Sequence, residues 1–247
     1  IMVKIITLIT KFIVIALAAL LFGSCNRIVN LKSISGSGNV VTQTRSVQGD
    51  FKSIEVSNAI DLVIEQADKT EIKVEADDNL QDEITTTVEN GVLIIGCKNG
   101  NYRNVSSRKV TVKMPVINQL EASSASTVRS TNIIKGENIS LNSSSASSID
   151  IAIESDNIFC RSSSGSSITI NGKALKLETK ASSGSTIAAK NLLVNTVIAT
   201  ASSGSSIHVH PIVSLTAKAS SGASVNYSIA PKSIQKSTSS GGSITQG

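Results

Sequence analysis

A Ser-Ser-Gly/Ala motif occurs seven times in this chain, and its spacing constrains the fold more than any other feature. The copies begin at residues 123, 144, 163, 182, 202, 220 and 239, so successive copies lie 18 to 21 residues apart. A unit of this length is too short to bury its own apolar face and must stack on copies of itself. The repeat therefore predicts a solenoid.

The residues on both sides of each motif alternate between apolar and polar. Ile158 and Cys160 precede one copy, and Ile168, Thr169 and Ile170 follow it. A period of two is typical of a strand with one buried face. Two short strands per repeat, joined by a connector that contains Asn, Gly or Pro, and stacked in parallel at about 4.8 Å, give an all-β solenoid.

The motif residues have an expected structural role. We predict that equivalent residues lie above one another, that the serine hydroxyls form an inward ladder, and that glycine supplies a positive φ. Replacing Ser183 by Leu should then overpack the interior and destabilise the fold by about 1–3 kcal/mol. The repeat positions concerned are Ser124, Ser145, Ser164, Gly165, Ser183, Gly184, Ser203, Gly204, Ser221, Gly222, Ser240 and Gly241.

The N-terminus carries an export signal. Lys4 and Lys11 precede an uncharged apolar run over 12–22 that ends at Gly23-Ser24-Cys25. The run is shorter than the about 20 residues of a membrane-spanning helix, so residues 1–24 are predicted to be a signal peptide. The small residues before Cys25 resemble a lipobox, which makes Cys25 the expected lipidation site. Ordinary cleavage near Ser24 remains the alternative.

The remainder divides into a tether and one domain. Residues 25–44 are polar and contain Ser35-Gly36-Ser37-Gly38, and we expect them to form the tether. Residues 45–247 form the predicted domain, with an N-terminal part over 45–120 and the repeats over 121–247. Asn90-Gly91, between two apolar segments, predicts a hairpin with a type I′ turn. We expect this hairpin to help cap the solenoid.

The N-terminal part resembles a known family. The segment from Phe51 to Ile64, the triplet Asp78-Asn79-Leu80 and the hairpin around Asn90-Gly91 are similar to the putative auto-transporter adhesin head GIN domain, which is common in exported lipoproteins of Bacteroidetes. The similarity covers roughly residues 49–240. It implies a right-handed parallel β-helix and a place in the cell envelope, and it carries over no catalytic residues.

Two groups of side chains are weak candidates for a metal site. His208 and His210 are two residues apart on one predicted strand, but no Cys, Asp or Glu follows Thr179 to complete a ligand set. Carboxylates cluster over 77–83 without the spaced loop of a calcium site, so a solvated turn with helix-capping acids is the favoured interpretation. Cys97 and Cys160 are treated as small buried side chains. We expect no metal and no cofactor.

Composition favours a binding or structural protein over an enzyme. The serines recur equally in every repeat, whereas a nucleophile is a single activated residue. The late repeats contain sparse lysines without interleaved aromatics, which argues against nucleic-acid binding. We therefore expect a non-catalytic envelope lipoprotein with an adhesin-like surface, held in the outer membrane by its lipid and facing the periplasm or the exterior.

Two alternatives remain open at this point. One is a carbohydrate-binding or carbohydrate-active protein on a β-helix scaffold. The other is a self-associating scaffold that forms homo-oligomers through the last repeat, 239–247. The expected partners are the membrane, through the lipid, and an envelope, host or glycan ligand.

Overall fold

The computed structural model describes residues 10–12, 15, 33–98 and 100–247. Cys25 and most of the predicted signal peptide therefore lie outside the described residues. The chain divides into two compact units, 1–34 with 99–101 and 35–98 with 102–247. None of the helical residues that the structure describes belongs to a helix long and apolar enough to cross a membrane.

The described chain is almost entirely β-structure. Its strands are β1 (Ser33–Ser35), β2 (Val40–Arg45), β3 (Ser53–Val56), β4 (Asp61–Gln66), β5 (Glu71–Asp77), β6 (Ile84–Glu89), β7 (Val92–Cys97), β8 (Asn101–Arg103), β9 (Arg108–Met114), β10 (Gln119–Ala122), β11 (Thr127–Ser143), β12 (Ser148–Ser162), β13 (Ser167–Ala181), β14 (Thr186–Ala201), β15 (Ser206–Ala219), β16 (Ser224–Tyr227), β17 (Ser233–Thr238) and β18 (Ser243–Gln246). A 3₁₀ helix spans Asp78–Glu83. Strands β1 and β8 form a two-stranded sheet.

The repeats form the predicted β-solenoid. Strands β10 to β16 pair in parallel with their sequence neighbours, and equivalent residues of successive repeats are paired, as in Ile149 with Ile168. Inward side chains consequently stack in columns. One column shrinks along the axis, through Leu120, Leu141, Cys160, Thr179, Ala199 and Ala217. A core with few aromatic side chains is filled by these aliphatic columns.

The Ser-Ser-Gly/Ala motifs form stacked tight turns. In each, the second serine and the following Gly or Ala both have positive φ, as in Ser183 (55°) and Gly184 (68°). Two consecutive left-handed residues are the geometry of a type I′ turn. The N–H of Gly165 donates to the carbonyl of Ser183 at 3.1 Å, and Gly184 donates likewise to Ser203 at 3.0 Å. The glycines therefore form a column along the axis.

The expected orientation of the motif serines is wrong. Ser183 and its equivalents lie at the exposed apex of the turn, so Ser183→Leu would not overpack the interior. The buried serine is the residue after the Gly or Ala, for example Ser166, because a two-residue turn directs its apex away from the strands that it joins. The Oγ of Ser166 donates to the carbonyl of Ser143 at 2.7 Å and accepts the N–H of Ser163 at 3.1 Å.

The buried serines form a ladder of their own, which we call the inner serine ladder. Its members are Ser126, Ser147, Ser166, Ser185 and Ser205. Each from Ser147 onward donates its hydroxyl to a backbone carbonyl of the preceding coil. The ladder ends where Ala223 and Gly242 occupy the same position in the last two turns.

The repeat strands are longer than the two short strands predicted. Strand β12 runs unbroken through the expected connector, and its burial alternates on either side of a bend over 154–157. Hydrogen bonding to β13 continues across the bend, from Glu154 paired with Lys173 to Asn157 paired with Lys176. This coil thus has a tight serine turn at one edge and a smooth bend at the other, whereas the pairing of β14 with β15 shifts register between Val194 and Thr196.

The N-terminal part contains an eighth turn that the sequence motif does not reveal. Asn58 and Ala59 have φ of 65° and 55°, and the N–H of Ala59 donates to the carbonyl of Ser124 at 2.9 Å. The coil formed by β3 and β4 lies between β10 and β11 on one side and β7 and β9 on the other, although β7 and β9 come later in the chain than β3 and β4.

Antiparallel strands cover this end of the solenoid. The predicted hairpin joins β6 to β7, with Asn90 and Gly91 at positive φ. Strand β5 pairs with β9, and β2 pairs with β5. The prediction that residues 25–44 form a tether is therefore wrong from Val40 onward, because these residues complete the hydrogen bonding of β5.

Candidate functional site

A groove runs along the bends of successive coils. We call it the bend groove, and its volume is about 560 Å³. Its floor is Gly136, Ser155 and Ala174, which pair with one another in register. Small side chains at three consecutive floor positions leave the space open. The volume lies within the range of ligand pockets, about 300–1,000 Å³.

One wall of the bend groove carries a charged triplet. Glu154 lies between Lys135 and Lys173 on adjacent strands, and its carboxylate oxygens are 3.7 Å and 3.4 Å from the two ammonium groups. One carboxylate thus faces two cations, and the triplet has a net charge of +1. Both lysine side chains are about two-thirds exposed, so their attraction to Glu154 is weak.

An acid lies on the other side of the floor residue Ser155. Asp156 is two residues beyond Glu154 on β12, lines the bend groove and is exposed. Within the described residues its carboxylate has no hydrogen bond and no ion pair. The polar half of the groove is therefore dipolar, with an excess cation on one side of Ser155 and an uncompensated carboxylate on the other.

The other half of the bend groove is mainly apolar, with Asn195 as a polar residue in its lining. Leu175, Leu193 and Ile212 come from three successive strands and are 56%, 48% and 38% exposed. Val213, next to Ile212, is also exposed. Scattered surface aliphatics are ordinary, but a contiguous cluster rimmed by polar groups marks an interaction site. The groove therefore changes from charged to apolar along the solenoid axis.

A second surface feature centres on Phe159. Phe159 is an apolar residue at an outward position of β12, where the alternation would place a polar one, and it is 40% exposed on the outer face of the solenoid. It lines two hollows of about 240 Å³ and 540 Å³. Asn142 and Arg161, in the smaller hollow, have no side-chain partner in the described part of the chain. An aromatic face beside free planar polar groups suits a ligand with both apolar and hydroxyl surfaces.

The predicted metal candidates are not brought together with further ligands. His208 and His210 lie on strand β15, both half-buried, and the Nε2 of His208 is 3.1 Å from the Oγ of Ser206. Among the residues described, no three His, Cys, Asp or Glu side chains form a group that could hold a metal ion.

Among the acids over 77–83, Asp77 has structural partners and is not solvated, whereas Asp82 is exposed. Asp77 is buried and its side chain does not cap the 3₁₀ helix. Its carboxylate accepts the N–H of Gly38 at 2.7 Å and that of Ser106 at 2.8 Å. Burial raises the pKa of Asp77, but the donated backbone N–H groups outweigh burial and hold the pKa below its ordinary value. The favoured interpretation of Asp77 as a solvated acid is wrong.

Both cysteines of the fold are free thiols. Cys160 is buried and Cys97 is half-buried, and they do not form a disulfide. Burial strongly raises the pKa of Cys160, so its thiol is protonated and unreactive.

These features define a class of protein: a parallel β-solenoid with a capped N-terminal end and a groove on its outer surface. Residues 50–231 match the family described as "Putative auto-transporter adhesin, head GIN domain". The chain belongs to this family. The family description indicates a protein of the cell envelope or surface.

Solved structures share the fold. A putative adhesin from Bacteroides fragilis superposes with a TM-score of 0.81 at 21% identity, over 86% of this chain and 99% of its own. A putative lipid binding protein from Parabacteroides distasonis gives 0.73 at 21%, over 87% and 100%. A putative adhesin from Parabacteroides merdae gives 0.71 at 17%, over 87% and 99%. The comparison with curated proteins gave no match.

Proposed function

We propose that this protein is a non-catalytic, adhesin-like binding module of the cell envelope that captures its ligand in the bend groove. The observation that carries the proposal is the groove itself, where a charged half and an apolar half meet over a floor of small residues. The backbone of the charged half belongs to strands that pair in register from β11 through β13, so this half is preorganised and loses little conformational entropy on binding.

The envelope location is part of the same proposal. Lipidation of Cys25 would hold the solenoid at the outer membrane, and Cys25 lies outside the described residues. Family membership supports an envelope or surface protein. Labelling cells with a radioactive fatty acid tests the anchor: the wild-type protein should incorporate the label and Cys25→Ser should not. Incorporation into Cys25→Ser would refute lipidation at this residue.

Binding is tested on the groove directly. The purified protein is screened against arrays of glycans, lipids and envelope extracts, beside Leu193→Asn, which places a polar side chain on the apolar wall. Ile234→Asn is the matched control, because Ile234 is also exposed, at 40%, but lies outside the groove. We expect Leu193→Asn to lose a ligand that Ile234→Asn keeps. Equal binding by both variants and wild type would refute the groove as the site.

A second candidate function is carbohydrate binding at Phe159. The aromatic face can pack on a sugar ring, while the free amide of Asn142 and guanidinium of Arg161 can bond its hydroxyls. Phe159→Ala should abolish retention on a glycan array while leaving binding in the bend groove unchanged. A glycan retained equally by wild type and Phe159→Ala would exclude this site.

A further inference from the structure

We propose that the bend groove binds a single-chain zwitterionic phospholipid of the lysophosphatidylethanolamine class, with its head group in the charged half and its acyl chain on the apolar half. This inference rests on the proposed function, since it names the ligand of the same groove. It is carried by the order of the groove residues along the axis, by the charges on the two sides of its floor and by the length of the apolar part.

The head group is indicated by opposite charges on the two sides of the floor residue Ser155. Lys135 and Lys173 share one carboxylate, Glu154, so this side has a cation in excess for a phosphate. Across Ser155, the carboxylate of Asp156 has no partner in the described part of the chain and can accept an ammonium group. A purely anionic head group would leave Asp156 facing a negative charge, and a purely cationic one would face the two lysines. A zwitterion satisfies both sides.

The polar half is also held in place. The side chain of Gln66 accepts the backbone N–H of Lys135 at 2.7 Å and donates to the carbonyl of Lys135 at 2.9 Å. The Oγ of Ser155 on the floor lies 3.1 Å from the carbonyl of Glu137 and 3.0 Å from that of Asn157, and its single proton bonds one of these two acceptors. These bonds fix the backbone that carries the charges, so the spacing between the two sides is set before a ligand arrives.

The tail is indicated by the apolar half. Leu175, Leu193 and Ile212 lie on β13, β14 and β15, a span of about 10 Å at about 4.8 Å per coil. An extended polypeptide advances about 3.5 Å over the three backbone bonds of one residue, or about 1.2 Å per bond, and an extended acyl chain is taken to advance equally per bond. About eight carbons therefore cover the apolar half. One acyl chain fits this strip, which is one groove wide.

The test is a chain-length series measured by isothermal titration calorimetry, because the chain has no tryptophan for fluorescence. The full chain carrying Cys25→Ser, free of detergent, is titrated with lysophosphatidylethanolamines of six to fourteen carbons below their micelle concentrations. Affinity should rise two- to fourfold per methylene up to about eight carbons and then level off. An affinity that keeps rising beyond twelve carbons, or none at any length, overturns the proposal.

The head group is tested in the same assay. The eight-carbon lysophosphatidylglycerol should bind at least fivefold more weakly than the ethanolamine lipid, and Asp156→Asn should remove that preference. Leu193→Asn should lower the affinity for the ethanolamine lipid at least tenfold, whereas Ile234→Asn should leave this affinity unchanged. Equal binding of both lipids to wild type overturns the zwitterionic head group.

One result separates this inference from the proposed function. If no lysophospholipid binds, but a glycan or protein ligand is lost in Leu193→Asn and kept in Ile234→Asn, the lipid assignment is wrong and the groove remains the binding site. If Leu193→Asn changes binding of neither kind of ligand, both proposals fail. Circular dichroism of each variant verifies that the β-structure is unchanged.

Discussion

Removing the hydroxyl of Ser166 should cost more stability than removing it together with the hydroxyl of Ser162. The Oγ of Ser166 donates its single proton to the carbonyl of Ser143, so the Oγ of Ser162, 2.8 Å away, must donate to Ser166. The N–H of Ser163 also bonds the carbonyl of Ser143 at 3.0 Å and keeps that partner when Ser166 changes. The hydroxyl of Ser162, a residue that is only 2% exposed, has no second partner among the described residues.

The expected magnitudes follow from these bonds. Ser166→Ala loses a hydrogen bond worth about 0.5–1.5 kcal/mol and orphans a buried hydroxyl, which costs about 1–3 kcal/mol more. We expect a total loss of about 2–4 kcal/mol. The lower end applies if Ser162 turns to the carbonyl of residue 166, as Ser143 bonds the carbonyl of Ser147 at 3.1 Å. Alanine leaves no new steric contact, because Ala223 occupies the same position two coils beyond Ser185.

Ser162→Ala should cost less than about 1 kcal/mol, because one net hydrogen bond is lost and no group is orphaned. It reproduces the arrangement of the next coil, where Ala181 precedes a buried Ser185 that still donates to the carbonyl of Ser162 at 2.7 Å. The double variant should lose about 1–2 kcal/mol. It should therefore be more stable than Ser166→Ala.

Equilibrium unfolding in urea, followed by circular dichroism, measures the four proteins of this double-mutant cycle. The comparison is valid if the free energy of unfolding falls with urea concentration at the same slope for all four proteins. A double variant that is less stable than Ser166→Ala by the full cost of Ser162→Ala would refute the coupled ladder. Ser164→Ala, at the exposed apex of the same turn, is the control for a serine outside the ladder.

Three further predictions concern other parts of the fold. Ala223→Ser should extend the inner serine ladder and increase the free energy of unfolding by about 0.5–1.5 kcal/mol. The midpoint of urea unfolding should rise, and an unchanged or lower midpoint would contradict this prediction. Gly172→Ala should lower the melting temperature strongly, because the added Cβ would lie 2.0 Å from the carbonyl oxygen of Ile153 and residue 172 has a φ of +123°. Gly184→Ala should cost only about 1 kcal/mol, because its added Cβ has no atom within 4 Å. Asp77→Asn should lower the melting temperature at neutral pH. Because the folded pKa of Asp77 is depressed, the stability that its carboxylate contributes is present above the ordinary carboxyl pKa and is lost as the pH falls through the folded pKa. The melting temperatures of wild type and Asp77→Asn should therefore converge in acid, and a difference that stays constant with pH would refute this role of Asp77.

The sequence alone determined the solenoid. The phase of the Ser-Ser-Gly/Ala copies against the alternating apolar pairs requires that equivalent residues stack, whatever the rest of the chain does. The Asn90-Gly91 hairpin was equally local, since both residues favour the positive φ that a type I′ turn needs. The family resemblance rested on such local segments and was confirmed by the match over residues 50–231.

Only the tertiary structure decided which serines face inward, where the N-terminal coils lie and where a ligand can bind. The apex and the inner position both carry serine in the first five motif turns, so residue type cannot distinguish Ser183 from Ser185. The place of β3 between β7 and β10 depends on pairing across long sequence separations. The bend groove combines residues from five strands, β11 to β15. Its charged and apolar halves are spread over 78 residues of sequence, from Lys135 to Ile212, and meet only because the coils stack in register.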